Sequence, residues 1–149
     1  MRAVVQRVKN ASVTVEGNTI SSIGAGLLVL VGISGDDTRR DMEYIADKCL
    51  NLRIFEDAND VMNLSLRDIG GELLLVSQFT LYGDARKGRR PSYIHAAPPD
   101  AARDMFAECV EVFRGKWEKI QTGQFQATMD VFLVNDGPVT ILLDSKKEF

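Results

Sequence analysis

The sequence has few of the residues that usually build metal sites and disulfide frameworks. It contains one histidine and two cysteines among 149 residues. His95 with Cys49 and Cys109 cannot supply a zinc site, which takes about four ligands. Each cysteine falls on the apolar face of a predicted helix, so we expect two small, buried, unpaired residues. We therefore predict no metal, no cofactor and no disulfide scaffold.

Long apolar runs and a strong net charge are also missing. No run approaches the roughly 20 residues that span a bilayer, and the N-terminus has no secretory pattern. We expect a cytoplasmic protein without membrane contact. The net charge of −3 argues against a general nucleic-acid coat, although it leaves room for one local basic patch. With 45% hydrophobic and 26% charged residues, the chain is predicted to form one domain over 1–149.

The common catalytic motifs are absent too. Gly24-Ala25-Gly26 is followed neither by a third glycine nor by a helix, so it is no dinucleotide fingerprint. There is no phosphate-binding loop that ends in Gly-Lys-Ser/Thr, and no Gly-x-Ser-x-Gly elbow. These absences argue against nucleotide-dependent enzymes and serine hydrolases of the familiar kinds.

Hydrophobic periodicity predicts a mixed architecture. A period of 3.6 residues predicts helices over 38–52, opened by Thr38 and Asp41 as a capping box, and from Pro98-Pro99-Asp100 to Trp117. Apolar and alternating runs predict strands. Several strands are predicted within 1–34, separated by turns at Lys9-Asn10 and Glu16-Gly17-Asn18. Further strands are predicted over 52–55, 73–79, 119–124, 127–134 and 138–143. Helices that cover a mixed sheet, an α/β or α+β arrangement, follow from this order.

Two short stretches carry unusual polarity. In S-Q-F-T-L, polar Ser77, Gln78 and Thr80 emerge where a buried strand ends. They indicate either a functional strand end or a strand that simply surfaces into a turn. In N-D-G-P-V-T, Asp136-Gly137 between two apolar runs predicts a hairpin turn, and Pro138 is restricted to an edge or a turn.

The long polar segment 82–99 is of a kind that is often functional. Its basic cluster can neutralise phosphates, or it can simply be solvated. Tyr82 and Tyr93 flank the cluster and either stack on bases or cover the core. The members of the cluster are Arg86, Lys87, Arg89 and Arg90.

Seven stretches in order resemble the D-aminoacyl-tRNA deacylase family, also known as D-tyrosyl-tRNA deacylases. They are V-V-Q-R-V, G-L-L-V-L-V-G, N-L-R-I-F, S-Q-F-T-L, R-R-P-S, T-G-Q-F-Q-A-T-M and N-D-G-P-V-T. The similarity runs from residue 1 to about residue 144. It implies a three-layer α/β fold in which mixed β-sheets form a barrel-like core covered by two or three helices. It also implies a homodimer with a cross-subunit active site.

The resemblance implies an activity in chirality proofreading. Its substrate is the tRNA 3′ end that carries a D-amino acid, or glycine, including glycine mischarged on tRNA-Ala. The ester bond is hydrolysed, which releases the free amino acid and tRNA. Gly137 and Pro138 match a Gly–cis-Pro pair that reaches into the other subunit's site. We expect this backbone to reject L-aminoacyl esters, whose side chains would point into it.

The same resemblance distributes roles among the candidate residues. Backbone N–H groups around Phe79 and Thr80 are expected to hold the ester carbonyl, and Ser77 and Gln78 to orient the adenosine or the amino group. Phe125 and Met129 would line the adenine pocket. Arg86, Lys87, Arg89 and Arg90 would contact tRNA phosphates. Gln126 departs from the family pattern, which has a small residue there, and it either narrows the pocket or points outward.

Two mechanisms and two rival functions stay open at this point. Thr80 as a nucleophile would need a base within reach, and no partner is evident, so catalysis led by the ribose 2′-OH of the tRNA is favoured. One rival is the related deacylase whose Gly-Pro is trans and which accepts L-alanine. The other rival is a non-catalytic module that binds RNA ends.

Overall fold

The computed structural model describes residues 1–149. The helices are α1 (Arg39–Asn51), α2 (Leu66–Ile69) and α3 (Pro99–Lys116), and a 3₁₀ turn covers Phe79–Tyr82. The strands are β1 (Arg2–Val15), β2 (Asn18–Ile23), β3 (Gly26–Gly32), β4 (Phe55–Glu56), β5 (Met62–Leu64), β6 (Glu72–Ser77), β7 (Ile120–Thr122) and β8 (Asp130–Asp144). No helix is long and apolar enough to cross a membrane.

One six-stranded mixed sheet organises the molecule. Its order is β2-β1-β3-β6-β7, and β8 pairs with β1. The pairs β3–β6 and β6–β7 are parallel, whereas β1 is antiparallel to β2, β3 and β8. The sheet is a nearly closed, barrel-like core accompanied by three helices. The predicted α/β class with a barrel-like core of mixed strands is confirmed.

The central strands are apolar on both faces because both faces are covered. The helix side holds a cluster of 26 buried residues that includes Leu27, Val29 and Leu75. Their neighbours in sequence, such as Leu28 and Leu74, belong to a second cluster of seven residues. Successive side chains of a strand point to opposite faces, so these continuous apolar runs fill two cores.

Both long helices begin and end as predicted. The Thr38 N–H donates to Asp41 Oδ2 at 2.8 Å, which forms the capping box of α1. Pro99 begins α3, and Trp117 is its C-cap. Cys49 and Cys109 are buried and unpaired, and burial raises the pKa of the Cys109 thiol to about 12. These predictions are confirmed.

Three smaller predictions were wrong. No turn interrupts the chain at Lys9-Asn10, because β1 continues to Val15 while it pairs with β8. The strand predicted over 52–55 is reduced to Phe55–Glu56. Strand β6 ends at Ser77 instead of residue 79, because the chain turns there into the 3₁₀ turn.

The hairpin predicted at Asp136-Gly137 was also wrong. Strand β8 runs through this position without reversing, and both of its halves pair with β1. Gln6 pairs with Thr140 and Val8 pairs with Asn135, so a step of two residues along β1 faces a step of five along β8. The four residues between these pairs, 136–139, face Arg7 alone and form a bulge, which we call the β8 bulge.

Candidate active site

The end of β6 exposes backbone donors. Gln78 leaves the strand with φ −142° and ψ 82°, and the 3₁₀ turn begins at the next residue. The Gln78 N–H donates to Val31 O at 2.7 Å, and the Leu81 N–H donates to Gln78 O at 3.2 Å. The N–H groups of Phe79 and Thr80 lie between these two and have no acceptor within the turn, as the first donors of any helical turn do.

A cavity of about 620 Å³, which we call the apolar cavity, lies against this strand end. Eleven of its 17 lining residues are hydrophobic, and none is Asp, Glu, Lys, Arg or His. Three segments supply most of its walls: the strand end, the start of α3 and the segment that precedes β8. They contribute Ser77, Gln78 and Phe79, then Pro98, Pro99 and Ala102, then Phe125, Gln126, Ala127, Thr128 and Met129.

Two packing contacts hold the third wall in place. The Phe125 ring stacks on Phe106 of α3, with ring centroids 5.9 Å apart and an interplanar angle of 28°. Gly123 leaves room for Met129, since a Cβ at Gly123 would lie 2.8 Å from the Met129 sulfur. Phe125 and Met129 thus lie at one cavity with Ser77, Gln78 and Phe79, although more than 40 residues separate the two groups in sequence.

Thr80 lies apart from this group. Its side chain is exposed, it does not line the apolar cavity, and its Oγ1 accepts a hydrogen bond from Gln78 Nε2. A hydroxyl nucleophile needs a base within hydrogen-bond reach, and the cavity lining offers no imidazole or carboxylate.

A second cavity of about 890 Å³, the polar cavity, lies beside the later residues of the turn, Tyr82 and Gly83. His95 lines this cavity and not the apolar one. Hydrogen bonds from Arg86 hold the pKa of Asp84 well below its usual range. The charged residues that line the polar cavity are Arg2, Asp36, Asp84, Arg86, Asp144, Lys146 and Glu148.

The basic segment is a loop whose base is closed by an antiparallel bridge between Asp84 and Ser92. Arg86 is bound to Asp84, with Nη2 and Oδ2 2.6 Å apart. The side chains of Lys87, Arg89 and Arg90 are exposed and form no ion pair with the chain. Three of the four predicted cations are therefore available to a ligand.

The two tyrosines that flank the basic loop have different environments. Tyr82 is buried, and the Arg2 guanidinium lies over its ring, with Arg2 Cζ 4.7 Å from the Tyr82 ring centroid. Tyr93 is exposed and contacts Phe79 edge to face, with ring centroids 5.1 Å apart. Tyr82 covers the core, whereas Tyr93 lies on the rim of the apolar cavity.

Gly137 and Pro138 are exposed on the β8 bulge and do not line the apolar cavity of their own chain. The peptide bond between them is cis. Gly137 has φ +119°, a left-handed value that L residues rarely adopt, and a Cβ there would lie 3.0 Å from Arg7 Nη2. The position therefore requires glycine on both conformational and steric grounds.

Sequence reasoning missed Arg7, which supports the bulge. Its side chain is buried; Nε donates to Asp136 O at 3.1 Å, and Nη1 donates to Ile54 O at 2.7 Å. Ala3 and Val5 are buried on the same face of β1, so Arg7 takes an inward position in an alternating strand. A charge at an inward position was the signal that could have identified it.

The outer face of β8 is apolar on both sides of the bulge. Phe132 and Val134 precede the bulge and Leu142 follows it, and all three side chains are exposed. A strand that displays large hydrophobic side chains along an exposed face is typical of an interaction surface.

Known proteins match nearly the whole length of the chain. The family model described as D-Tyr-tRNA(Tyr) deacylase matches residues 4–144. D-aminoacyl-tRNA deacylases of Thermosipho africanus and Clostridioides difficile are each 62% identical to the chain over 149 residues, which covers all of both sequences.

Two solved structures are similar to the whole fold. The c-Myc DNA Unwinding Element Binding Protein has a TM-score of 0.92 and 46% identity, over 97% of this chain and 98% of its own. A probable eukaryotic D-amino acid tRNA deacylase has a TM-score of 0.81 at 16% identity, over 95% and 97% of the two chains. The second likeness concerns the fold alone.

Proposed function

The chain belongs to the D-Tyr-tRNA(Tyr) deacylase family, and on that premise we propose how it hydrolyses the ester bond of D-aminoacyl-tRNA. The observation that carries the proposal is the apolar cavity, which has no charged lining residue and lies against Phe79, the first of the two residues whose backbone N–H groups have no acceptor within the turn. Such a site recognises shape and stabilises a developing negative charge, and it offers no side chain for acid–base chemistry.

In this proposal the apolar cavity takes the terminal adenosine. The adenine ring packs on Phe125 and Met129, whose positions are fixed by the Phe106 stack and by Gly123. Ser77 and Gln78 orient the ribose or the amino group. The ester carbonyl then lies against the N–H groups of Phe79 and Thr80, which donate to its oxygen as that oxygen gains negative charge.

The tRNA supplies the reactive hydroxyl. Its terminal 2′-OH orients and activates a water molecule, which attacks the carbonyl carbon. The bond between that carbon and the ribose oxygen breaks, the oxygen takes a proton, and the amino acid leaves. Positioning alone can be powerful, since effective molarities reach about 10⁵–10⁸ M. Thr80 has no part as nucleophile, because its hydroxyl faces Gln78 and has no base.

Selection against L-amino acids requires a second copy of the chain. Gly137 and Pro138 do not line the apolar cavity of their own chain, and they are exposed between apolar side chains of β8. We assign that face to a homodimer in which the β8 bulge of each chain enters the other's apolar cavity. The Gly137-Pro138 backbone then forms a wall into which an L side chain would point.

This filter acts by rejection, so it makes few demands on the accepted side chain. A D side chain points away from the wall toward solvent, and a glycyl ester has no side chain that could meet the wall. We expect hydrolysis of many D-aminoacyl esters and of glycyl-tRNA, including glycine mischarged on tRNA-Ala. The role is chirality proofreading in the cytoplasm.

The basic loop guides the tRNA to the site. Lys87, Arg89 and Arg90 are free to contact phosphates of the 3′ strand, while Arg86 must first release Asp84. Tyr93 on the cavity rim offers an aromatic face or edge to the nucleotide that precedes the terminal adenosine.

Hydrolysis of D-tyrosyl-tRNA and L-tyrosyl-tRNA, compared at matched low enzyme concentration, tests the proposal. We expect rapid loss of the D ester, with the L ester untouched and glycyl-tRNA-Ala also hydrolysed. Hydrolysis of both tyrosyl esters would support the deacylase activity and contradict the proposed selection against L-amino acids. Binding without any turnover would replace the proposal with a module that holds RNA ends.

A further inference from the structure

Gln126 has an unusual backbone conformation in the wall of the apolar cavity. Its φ is +60°, in the left-handed region where glycine is the favoured residue. A glutamine there costs conformational free energy that glycine would not. Residues held in such conformations cluster at functional sites, where another interaction compensates for the cost.

The Gln126 carboxamide is the one uncommitted amide in this cavity. Two glutamines line it, and Gln78 already donates its amide to Thr80 Oγ1. The Gln126 side chain is exposed and has no hydrogen-bond partner in the chain, although it stands between Phe125 and Met129 in the same wall. Apart from these two amides, most of the lining is hydrophobic.

A free carboxamide matches one edge of adenine. It presents one donor and one acceptor side by side, and adenine presents an amino donor at N6 beside an acceptor nitrogen. The base at the end of a single strand has both its Watson–Crick and its Hoogsteen edges unpaired. Phe125 and Met129 can hold the faces of the ring, but neither can form hydrogen bonds with its edge.

We propose that Gln126 reads the edge of the terminal adenine and fixes its rotation in the cavity. Oε1 accepts from the N6 amino group, and Nε2 donates to the neighbouring ring nitrogen. This role rests on the proposed placement of the adenosine. It makes Gln126 a positioning residue, because a base held at its edge keeps the ester at the Phe79 and Thr80 N–H groups.

A double comparison isolates this contact. The unaltered protein and Gln126→Gly are each given D-tyrosyl-tRNA that ends in adenosine or in purine riboside, which lacks the 6-amino group. We expect the missing amino group to lower kcat/KM of the unaltered protein by about 10-fold, the low end for a bidentate base contact. On the substrate that ends in adenosine, the kcat/KM of Gln126→Gly should be about 10-fold lower than that of the unaltered protein. Replacing adenosine with purine riboside should lower the kcat/KM of Gln126→Gly by less than about 2-fold further.

Thermal stability provides a readout that separates recognition from folding. Gln126→Gly is expected to keep or raise Tm, because glycine adopts φ +60° without strain. Glu16→Gly is the matched control, since Glu16 has φ +49° in the turn between β1 and β2, away from the cavity. It should affect Tm in the same direction and leave kcat/KM unchanged on both substrates.

Three results would overturn the inference. If purine riboside lowered kcat/KM by the same factor in the unaltered protein and in Gln126→Gly, Gln126 would not contact the amino group. A Gln126→Gly protein more active than the unaltered one would mean that the side chain obstructs the cavity. If the unaltered protein did not hydrolyse the adenosine substrate, both the proposed function and this inference would be overturned. If it did hydrolyse that substrate but the effects of Gln126→Gly and of the missing amino group were independent, only the inference would be overturned.

Discussion

Two cavities flank the same 3₁₀ turn and differ in nearly every chemical respect. The apolar cavity meets Ser77, Gln78 and Phe79, and it has no charged lining residue. The polar cavity meets Tyr82 and Gly83, and it collects His95 with several carboxylates and cations. Residue types alone would favour the polar cavity as the active site. The proposed function favours the other, because a substrate that carries its own hydroxyl needs placement more than it needs an acid or a base.

The charges of the polar cavity are mostly committed to one another. Arg2 Nη2 lies 2.8 Å from Glu148 Oε2, and its Nε lies 3.4 Å from Asp144 Oδ2. Lys146 Nζ lies 3.2 Å from Asp41 Oδ1. These pairs tie the end of the chain to β1 and to α1. The ion pairs of the polar cavity therefore support the fold, and the proposed function places catalysis at the apolar cavity.

The nearby carboxyl of Asp41 illustrates this structural role. Burial alone would raise its pKa, but hydrogen bonds from Ser145, Thr38 and Lys146 outweigh burial and hold the pKa far below its usual range. A lowered pKa in the folded state contributes stability above about pH 4, the unfolded value, and that contribution is lost as the pH falls further.

The largest predicted difference between the cavities comes from filling them. Ala102→Phe places a ring in the apolar cavity where adenine is proposed to bind. We expect kcat/KM on D-tyrosyl-tRNA to fall by about 100-fold, which corresponds to losing roughly 3 kcal/mol of base contact. Ala85→Phe in the lining of the polar cavity is the control, with less than about 2-fold change. Equal effects would contradict the division of roles.

A change in the β8 bulge should also affect the two cavities differently, because the bulge is proposed to complete only the apolar cavity of the other subunit. Gly137→Ala forces a Cβ against Arg7 and into a left-handed φ at a cost of about 1–3 kcal/mol. We expect the D/L ratio of hydrolysis rates to fall by about 10-fold as the wall is displaced. Gly35→Ala, where a Cβ meets no atom within 4 Å, should change nothing. An unchanged D/L ratio in Gly137→Ala would contradict the filter.

The basic loop tests how the substrate reaches the apolar cavity. Alanine at both Arg89 and Arg90 should weaken tRNA binding and make the slope of log K against log salt shallower by about 1.4, from two lost contacts on a single strand. Arg114→Ala is the control, because Arg114 is paired with Glu111 near the end of α3. An unaltered slope in the double variant would remove the loop from the interface.

The smallest effect is expected at the residue that looks most reactive. Thr80→Ala should retain kcat within about 3-fold, since only its backbone N–H has a proposed role and that group remains. His95→Gln in the polar cavity serves as the companion variant and should behave likewise. A loss of 1,000-fold or more in Thr80→Ala, the order expected for a true nucleophile, would restore Thr80 to that role.

The parts predicted correctly were those with local signals. The helices follow from their period and from Thr38, Asp41 and Pro99, all of which act within one turn. Phe125 and Met129 came from the family resemblance and not from a local signal; the structure brings both to the same cavity as Ser77, and their role in binding adenine stays a prediction.

The parts that failed depend on distant partners. Asp136-Gly137 is a strong local signal for a hairpin, but β1 pairs with β8 on both sides of it, so the residues in between form a bulge. Arg7 is buried because the bulge and Ile54 accept its hydrogen bonds, and neither neighbour is visible in sequence.

The central claim is that the apolar cavity positions a substrate whose own 2′-OH activates water. Its most direct test is the single-turnover rate on D-tyrosyl-tRNA that ends in 2′-deoxyadenosine, against the same tRNA that ends in adenosine. If the 2′-OH activates water, its removal should leave binding similar and lower the rate by about 100-fold or more, the order typical of removing a general acid–base group. Equal rates on the two substrates would contradict the claim and would require a catalytic group from the protein.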